Sequence, residues 1–191
     1  RRWHIPSLFK APVGRLTDTH QDLPCWPMAG EQALTAWIPL NESTVENGCM
    51  YYIPASHRTS DRTFVDIFRR GEEDPLDQAC GILTADPIHV EVPRGSIAFH
   101  HGLTAHGANA NRTNQTREVH TMIFFADGTT RSQSGKHHAV DRPCIQPGTA
   151  IASEVTPIAW PRVDLPQTPK PWHLDPVLER TGAFPQSKGL R

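Results

Sequence analysis

Short runs of apolar and β-branched residues, separated by turn residues, recur along the first two thirds of the chain. This pattern predicts three separate strands: Leu34–Leu40, Cys49–Pro54 and Glu118–Ala126. Two further runs, His89–Val92 and Ser96–His100, flank the turn sequence Pro93-Arg94-Gly95 and predict a β-hairpin. Many short strands with glycine and proline between them are typical of a sandwich or jelly roll. We therefore expect a mainly β fold.

Two segments do not fit this pattern. We expect Thr59–Gln78 to be partly helical. The longer span 59–87 is our candidate substrate lid, because specificity commonly resides on loops that a rigid scaffold carries. After Ala159 the chain is rich in proline, which argues against regular central strands there.

Composition narrows the class of protein. The 191 residues fit one domain, which we assign to 1–191. The chain has 19 basic and 20 acidic residues and a net charge of −1, so nothing favours a nucleic-acid or membrane-surface partner. Its four cysteines form no Cys-x-x-Cys pair, and no apolar run approaches the ~18 to 20 residues of a membrane span. We expect reduced thiols and a cytoplasmic location.

Four residues carry the chemistry that we predict. His20 and Asp22 are two positions apart, so on a strand they would point to one face and present an imidazole and a carboxylate to a common ion. His106 would complete a two-histidine, one-carboxylate triad, which leaves open positions on Fe(II) for a co-substrate and dioxygen. Arg117 follows eleven residues later, enough for the chain to return on the neighbouring strand, and its planar fork suits a carboxylate.

Each of these residues alone has an ordinary explanation. A single histidine is more often a surface residue than a ligand, and an isolated Asp22 would fit a turn or a helix cap. His100 and His101 compete with His106 as the third ligand, although adjacent residues on a strand point to opposite faces. The pair His137-His138 lies beyond the predicted strands, where a loop or an entrance role is the better interpretation.

Four blocks of residues occur together in the order of a known family. They are His20-Gln21-Asp22-Leu23-Pro24, Ala33 through Leu40, Glu46 through Arg58, and Pro93 through Gly107. The similarity ends near Asn111 and Arg117. In these blocks the chain resembles the phytanoyl-CoA dioxygenase family of Fe(II)- and 2-oxoglutarate-dependent oxygenases. Four ordered blocks are more specific than any single short motif.

The resemblance implies a double-stranded β-helix, a cupin-like jelly roll, with flanking helical segments. It also implies that His20, Asp22 and His106 bind Fe(II), with His106 chosen by its offset to Arg117. Arg117 would pair with the distal carboxylate of 2-oxoglutarate, and dioxygen would take a remaining position. Trp37 would lie beside the co-substrate, although core packing alone also explains it. Lys10 is a further co-substrate candidate, with a solvated lysine as its alternative.

The activity implied is hydroxylation of a small organic substrate, with decarboxylation of 2-oxoglutarate to succinate. Related halogenases have a small residue where this chain has Asp22, so the aspartate favours a non-halogenating oxidation. Two departures concern Ala108, where relatives often have serine, and Ala55, where they often have glycine. Relatives also carry sequence ahead of the His20 block, so we expect an N-terminal portion before Arg1.

Two other classes of function stay open. One is a non-catalytic β-helix protein that binds a metal or a small acid, and the other is a different cupin-type metal enzyme. The ligand set together with Arg117 disfavours both, while Ala108 leaves the binding protein some room. Neither the substrate nor the oligomeric state follows from the sequence.

Overall fold

The computed structural model describes residues 1–58, 64 and 85–161. The strands are β1 (Ser7–Lys10), β2 (Thr17–His20), β3 (Met28–Ala29), β4 (Ala33–Pro39), β5 (Met50–Tyr52), β6 (Ile88–Val90), β7 (Ala98–His101), β8 (His106–Ala108), β9 (Arg117–Phe125) and β10 (Thr130–Arg131). Within these residues the helices are two short 3-10 helices, Leu23–Cys25 and Ser56–Arg58, and the four-residue α1 (His138–Asp141). The expected helix over Thr59–Gln78, almost all of the candidate lid, and most of the proline-rich tail lie outside the described residues.

Two four-stranded antiparallel sheets form the body of the fold. The first sheet has the strand order β1-β9-β4-β7, and the second has the order β2-β8-β5-β6. A small ribbon pairs β10 with β3. The strands predicted over Leu34–Leu40, Cys49–Pro54 and Glu118–Ala126 correspond to β4, β5 and β9 within a few residues at either end. The expected mainly β jelly roll is confirmed.

The sheets pack face to face because each has one apolar face. Along β9 every second residue, from Arg117 to Phe125, is buried, and the residues between them are half-buried. Trp37 and Val119 of the first sheet pack against Met50 and Ala108 of the second. This contact forms one end of the core, and it brings the inner faces of the two sheets against each other.

A second apolar cluster forms the other part of the core. Trp3 and Phe125 meet edge to face, with ring centroids 5.7 Å apart. Val140 of α1 and Ile151 are fully buried in the same cluster. The N-terminal segment is tied to β9 by a backbone hydrogen bond from Trp3 to the carbonyl of Ile123.

The hairpin predicted around Pro93-Arg94-Gly95 is wrong. The turn exists, with Gly95 at φ +89° and a 3.1 Å hydrogen bond from Ser96 to the carbonyl of Pro93. However, β6 pairs with β5 in the second sheet, and β7 pairs with β4 in the first. The turn therefore carries the chain from one sheet to the other, as successive strands of a jelly roll do.

No helix in the described part of the chain is long and apolar enough to cross a membrane.

Ala55 provides a test of backbone strain. It lies at φ +61°, in the left-handed region where a Cβ is disfavoured, just after the fully buried Ile53. We predict that Ala55→Gly raises the free energy of unfolding by up to about 1 kcal/mol, because relief of strain exceeds the extra freedom of the unfolded chain. Urea denaturation measures the change.

The control is Ala152→Gly, at an exposed alanine outside the left-handed region. This variant should lose about 0.4–1 kcal/mol, since only the unfolded-state term remains. Equal destabilisation by both variants would contradict strain at Ala55.

Candidate metal centre

Two histidines lie side by side on neighbouring strands of the second sheet. His20 ends β2 and His106 begins β8, and the two are register partners with ring centroids 4.4 Å apart. Each ring donates its Nδ1 hydrogen to a backbone carbonyl two residues earlier, Asp18 for His20 and Thr104 for His106, at 2.8 Å in both cases. These bonds fix the tautomer and leave both Nε2 lone pairs free, as metal-binding histidines require.

Asp22 completes the group, but it does not lie on a strand with His20 as predicted. The strand ends at His20, and Asp22 adopts helical φ and ψ of −71° and −45° at the start of the Leu23–Cys25 3-10 helix. Pro24 explains the change, since proline favours the first turn of a helix and cannot donate to a strand ladder. His20 and Asp22 therefore converge through a bend in the chain, and not along one strand face.

The two carboxylate oxygens of Asp22 have different surroundings. Oδ2 accepts hydrogen bonds from Thr35 at 2.9 Å and from Nε2 of His100 at 3.2 Å. Oδ1 lies 3.8 Å from Nε2 of His20 and 3.8 Å from Nε2 of His106. The ligand atoms of these three residues all lie within 4.8 Å of one another. Two imidazole nitrogens and one carboxylate oxygen are the donor set of a facial triad, so the residues present fit Fe(II).

The protonation of the group also suits a metal. Burial alone would raise the pKa of Asp22, but the adjacent His106 and His100 hold it below its usual range. Burial, followed by the nearby His100 and His20, lowers the pKa of His106 well below its usual value. An ionised carboxylate and a neutral imidazole are the forms that bind divalent metals.

His100 supports Asp22 instead of joining the triad. Its Nε2 must be the donor to the carboxylate, so its Nδ1 accepts the hydroxyl hydrogen of Tyr52 at 3.2 Å. Burial raises the pKa of Tyr52, with a further contribution from Asp22, which keeps this hydroxyl protonated. The adjacent His101 accepts a backbone hydrogen bond from Leu103 instead. Thr35 and Tyr52 are not among the site residues predicted from the sequence, although Thr35 shares a strand face with Trp37.

Arg117 faces the same interior from the opposite sheet. It begins β9 in the first sheet, so the expectation that it returns beside His106 on a neighbouring strand is wrong. The side chain is buried, it donates through Nη1 to the carbonyl of Gly48, and its Cζ lies 5.1 Å from the Trp37 ring centroid. Among the described residues no carboxylate pairs with it, and its Nε has no partner. Burial lowers its pKa to about 10.

Gly48 permits this contact. It lies at φ +93°, and a Cβ there would approach the carbonyl oxygen of Asn109 to 2.6 Å.

Lys10 lies beside Arg117 but does not form part of the cavity wall that the described residues make. It is the register partner of Arg117, and its Nζ donates to the carbonyls of Arg15 at 2.9 Å and Asn109 at 2.7 Å. Burial, with the neighbouring Arg117, lowers its pKa to about 8. Lys10 is thus neither solvated nor exposed to the cavity. It adds a second buried cation at this end, and a direct role with the co-substrate stays a prediction.

One cavity of about 380 Å³ connects the triad with Arg117. Its walls come from both sheets and from the segments that flank them: His4, Pro6, Leu8, Thr17, His20, Asp22, Cys25, Trp26, Thr35, Trp37, Met50, Phe64, His100, His106, Gly107, Ala108, Arg117, Thr121 and Ile123. Ala108 lies two positions after His106, on the same face of β8, and is buried. Trp37 contributes both to the core and to this wall.

Comparison with known proteins identifies the family. The family model described as phytanoyl-CoA dioxygenase matches residues 1–119. The chain belongs to the phytanoyl-CoA dioxygenase family. A phytanoyl-CoA dioxygenase domain-containing protein 1 homolog of Caenorhabditis briggsae is 34% identical over 124 residues, which are 60% of this chain and 43% of that protein.

A second relative is named for its co-substrate. It comes from Stutzerimonas stutzeri, is described as a probable alpha-ketoglutarate-dependent hypophosphite dioxygenase, and is 30% identical over 127 residues, or 62% of this chain and 42% of that protein. The chain therefore spans less than half of the length of these two relatives.

Solved structures agree on the fold. The non-heme alpha-ketoglutarate-dependent carbocyclase SnoK from nogalamycin biosynthesis has a TM-score of 0.68 at 28% identity, covering 81% of this chain and 60% of SnoK. The epimerase SnoN in complex with Fe3+, alpha-ketoglutarate and nogalamycin RO has a TM-score of 0.58 at 23% identity, covering 87% and 59%, and shows the fold alone.

The contact between His100 and Asp22 generates a prediction. His100→Phe keeps a ring of similar size but removes one of the two donors that orient the carboxylate. We predict that Fe(II) affinity falls about 10- to 100-fold, the usual cost of losing such a supporting group. Anaerobic competition with a chelator measures it. His101→Phe, at the adjacent position that does not contact Asp22, should retain near-normal affinity, and equal loss in both variants would contradict the assignment.

Proposed function

We propose that this chain is the core of an Fe(II)- and 2-oxoglutarate-dependent dioxygenase that hydroxylates a small organic substrate. The observation that carries the proposal is the convergence of His20 Nε2, His106 Nε2 and Asp22 Oδ1 on one side of a cavity whose other end holds Arg117. Membership of the phytanoyl-CoA dioxygenase family, and relatives named for alpha-ketoglutarate, support it.

The protein residues supply binding and orientation. His20 and His106 would hold the iron through Nε2, since their Nδ1 hydrogens are already engaged by backbone carbonyls. Asp22 would bind through Oδ1, because Thr35 and His100 occupy Oδ2. Iron bound there, with 2-oxoglutarate and dioxygen, supplies the oxidising chemistry that no side chain can. A three-residue set leaves the remaining positions for those two reactants.

Arg117 is the residue that we assign to the distal carboxylate of 2-oxoglutarate. It is buried, has donors to spare, and lacks a carboxylate partner among the described residues. Lys10 lies next to it outside the cavity wall, with its charge directed toward carbonyls, so two buried cations lie side by side here and favour an anion. Trp37 would confine the co-substrate chain and pack against the guanidinium.

The remaining parts of the proposal are broader. A cavity of about 380 Å³ lies near the small end of the range for ligand sites, which suits a co-substrate and a small molecule together. We retain one domain over 1–191, span 59–87 as a lid, a cytoplasmic location, and no nucleic-acid or membrane partner as predictions.

The triad assignment gives a direct test. We predict that the purified chain binds one Fe(II), and that alanine at His20, Asp22 or His106 abolishes both iron binding and 2-oxoglutarate-dependent succinate formation while circular dichroism keeps its β signal. His89→Ala, an exposed histidine of β6, is the control and should behave like the wild type.

Other outcomes would favour the rival classes. Tight iron binding with no succinate formation across a broad panel of small substrates would favour a non-catalytic binding protein. Turnover that persists without 2-oxoglutarate would favour another cupin-type enzyme.

Co-substrate binding gives a separate test. Arg117→Ala should keep iron but weaken 2-oxoglutarate roughly 100-fold, since losing a buried charged partner costs about 3 kcal/mol. Arg117→Lys should recover only part of the affinity, because a point charge lacks the planar fork. Anaerobic titration of the charge-transfer band of the Fe(II) complex measures both constants. Exposed Arg112→Ala is the control, and an unchanged constant in Arg117→Ala would place the anchor elsewhere.

A further inference from the structure

His4 lines the cavity but has no role in the metal or co-substrate sites. Its backbone carbonyl accepts a 3.1 Å hydrogen bond from Ile123, which fixes the residue beside β9. Its ring lies 4.9 Å from the ring of His137, which in turn stacks on Trp3 at 4.4 Å. The imidazole is therefore held in place by rigid neighbours.

The imidazole of His4 has a buried nitrogen without a hydrogen-bond partner among the described residues. This atom is Nδ1, which the surrounding protein covers completely. Buried polar groups without partners are uncommon in native proteins, because burial removes water and nothing replaces it. A ring that lines the cavity and keeps an unpaired nitrogen among the described residues is suited to a hydrogen bond with a ligand.

The position of His4 along the cavity identifies which ligand this would be. Ile123 and Arg117 are six residues apart on β9, which corresponds to about 20 Å. Ile123 pairs with Thr35, whose hydroxyl holds Asp22. His4 therefore lies at the triad end of the cavity, and Arg117 lies at the end that we assign to the co-substrate.

The walls near His4 are mostly apolar. Pro6, Trp26 and Ile123 surround this end, together with the thiol of Cys25. Among the described residues that line the cavity, Arg117 is the sole lysine or arginine. The described walls at this end therefore offer no lysine or arginine to a charged substrate group.

We propose that His4 is a specificity-determining residue that hydrogen-bonds a neutral hydroxyl or carbonyl group on an otherwise apolar substrate. The inference rests on the proposed function, since it assigns this end of the cavity to the substrate. The hydrogen bond would fix one point of the substrate, and the apolar walls would direct the neighbouring carbon toward the triad.

The protonation of His4 agrees with a neutral partner. Burial, and then the nearby His138, lower the pKa of His4 to about 4, although Asp22 acts in the opposite direction. The imidazole is then neutral at pH 7, with one donor and one acceptor nitrogen, so it can serve a hydroxyl or a carbonyl group.

Three probes that share a naphthalene ring test the inference. Equilibrium dialysis would measure binding of 2-naphthol, naphthalene and 2-naphthoate to the full chain loaded anaerobically with Fe(II) and 2-oxoglutarate. We expect 2-naphthol to bind about five- to tenfold more tightly than naphthalene, the size of one neutral hydrogen bond, and 2-naphthoate to bind more weakly than 2-naphthol.

Variants identify the residue responsible. His4→Phe keeps the ring packing and should reduce the preference for 2-naphthol over naphthalene to about one, whereas His4→Gln should retain part of it. His120→Phe, on the outer face of β9, is the matched control and should leave the preference unchanged. An unchanged preference in His4→Phe, equal binding of 2-naphthoate, or no binding of any probe would overturn the inference.

The same samples separate this inference from the proposed function. The charge-transfer band of the Fe(II)–2-oxoglutarate complex is recorded before any probe is added. Absence of the band would refute the proposed function, whereas a normal band with no dependence on His4 would refute only the inference about His4.

Discussion

The carboxylate of Asp22 connects the two sheets, and the candidate site depends on this connection. Thr35 on β4 and His100 on β7, both in the first sheet, hold Oδ2. His20 and His106 in the second sheet lie across Oδ1. Oδ2 thus contacts residues of the first sheet, and Oδ1 lies near residues of the second. Because the first sheet holds Oδ2, a shift of one sheet against the other would change the distance from Oδ1 to both histidine nitrogens.

Charge is separated along the cavity. The triad end has an ionised carboxylate among imidazoles, and the opposite end has Arg117 and Lys10 without a carboxylate partner among the described residues. Two buried like charges side by side are unfavourable unless hydrogen bonds or an anion compensate them. Backbone carbonyls compensate Lys10 almost completely, but Arg117 only through Gly48. The difference explains why an anchor for an anion is assigned to Arg117 and not to Lys10.

Local sequence patterns predicted five of the ten described strands, β4, β5, β6, β7 and β9, but not how they are distributed between the sheets. The alternation over β9 and the apolar run over β4 mark buried strands directly, because period and composition are local properties. The hairpin around Gly95 was wrong because a tight turn is compatible both with pairing and with crossing between sheets. Only the long-range partners, β5 for β6 and β4 for β7, decide between the two.

The candidate site shows the same division between local and long-range information. The pair His20 and Asp22 could be selected from its spacing, but its geometry could not, since Pro24 turns the chain before Asp22. Pro24 is visible in the sequence, so the bend before Asp22 could have been predicted. His4 carried no such signal, because its importance comes from the packing of the N-terminal segment against Ile123 and α1. His4 reaches the cavity because the N-terminal segment hydrogen-bonds to β9, which is more than a hundred residues away in sequence. A contact of this kind leaves no local motif, so it becomes visible only in the folded structure.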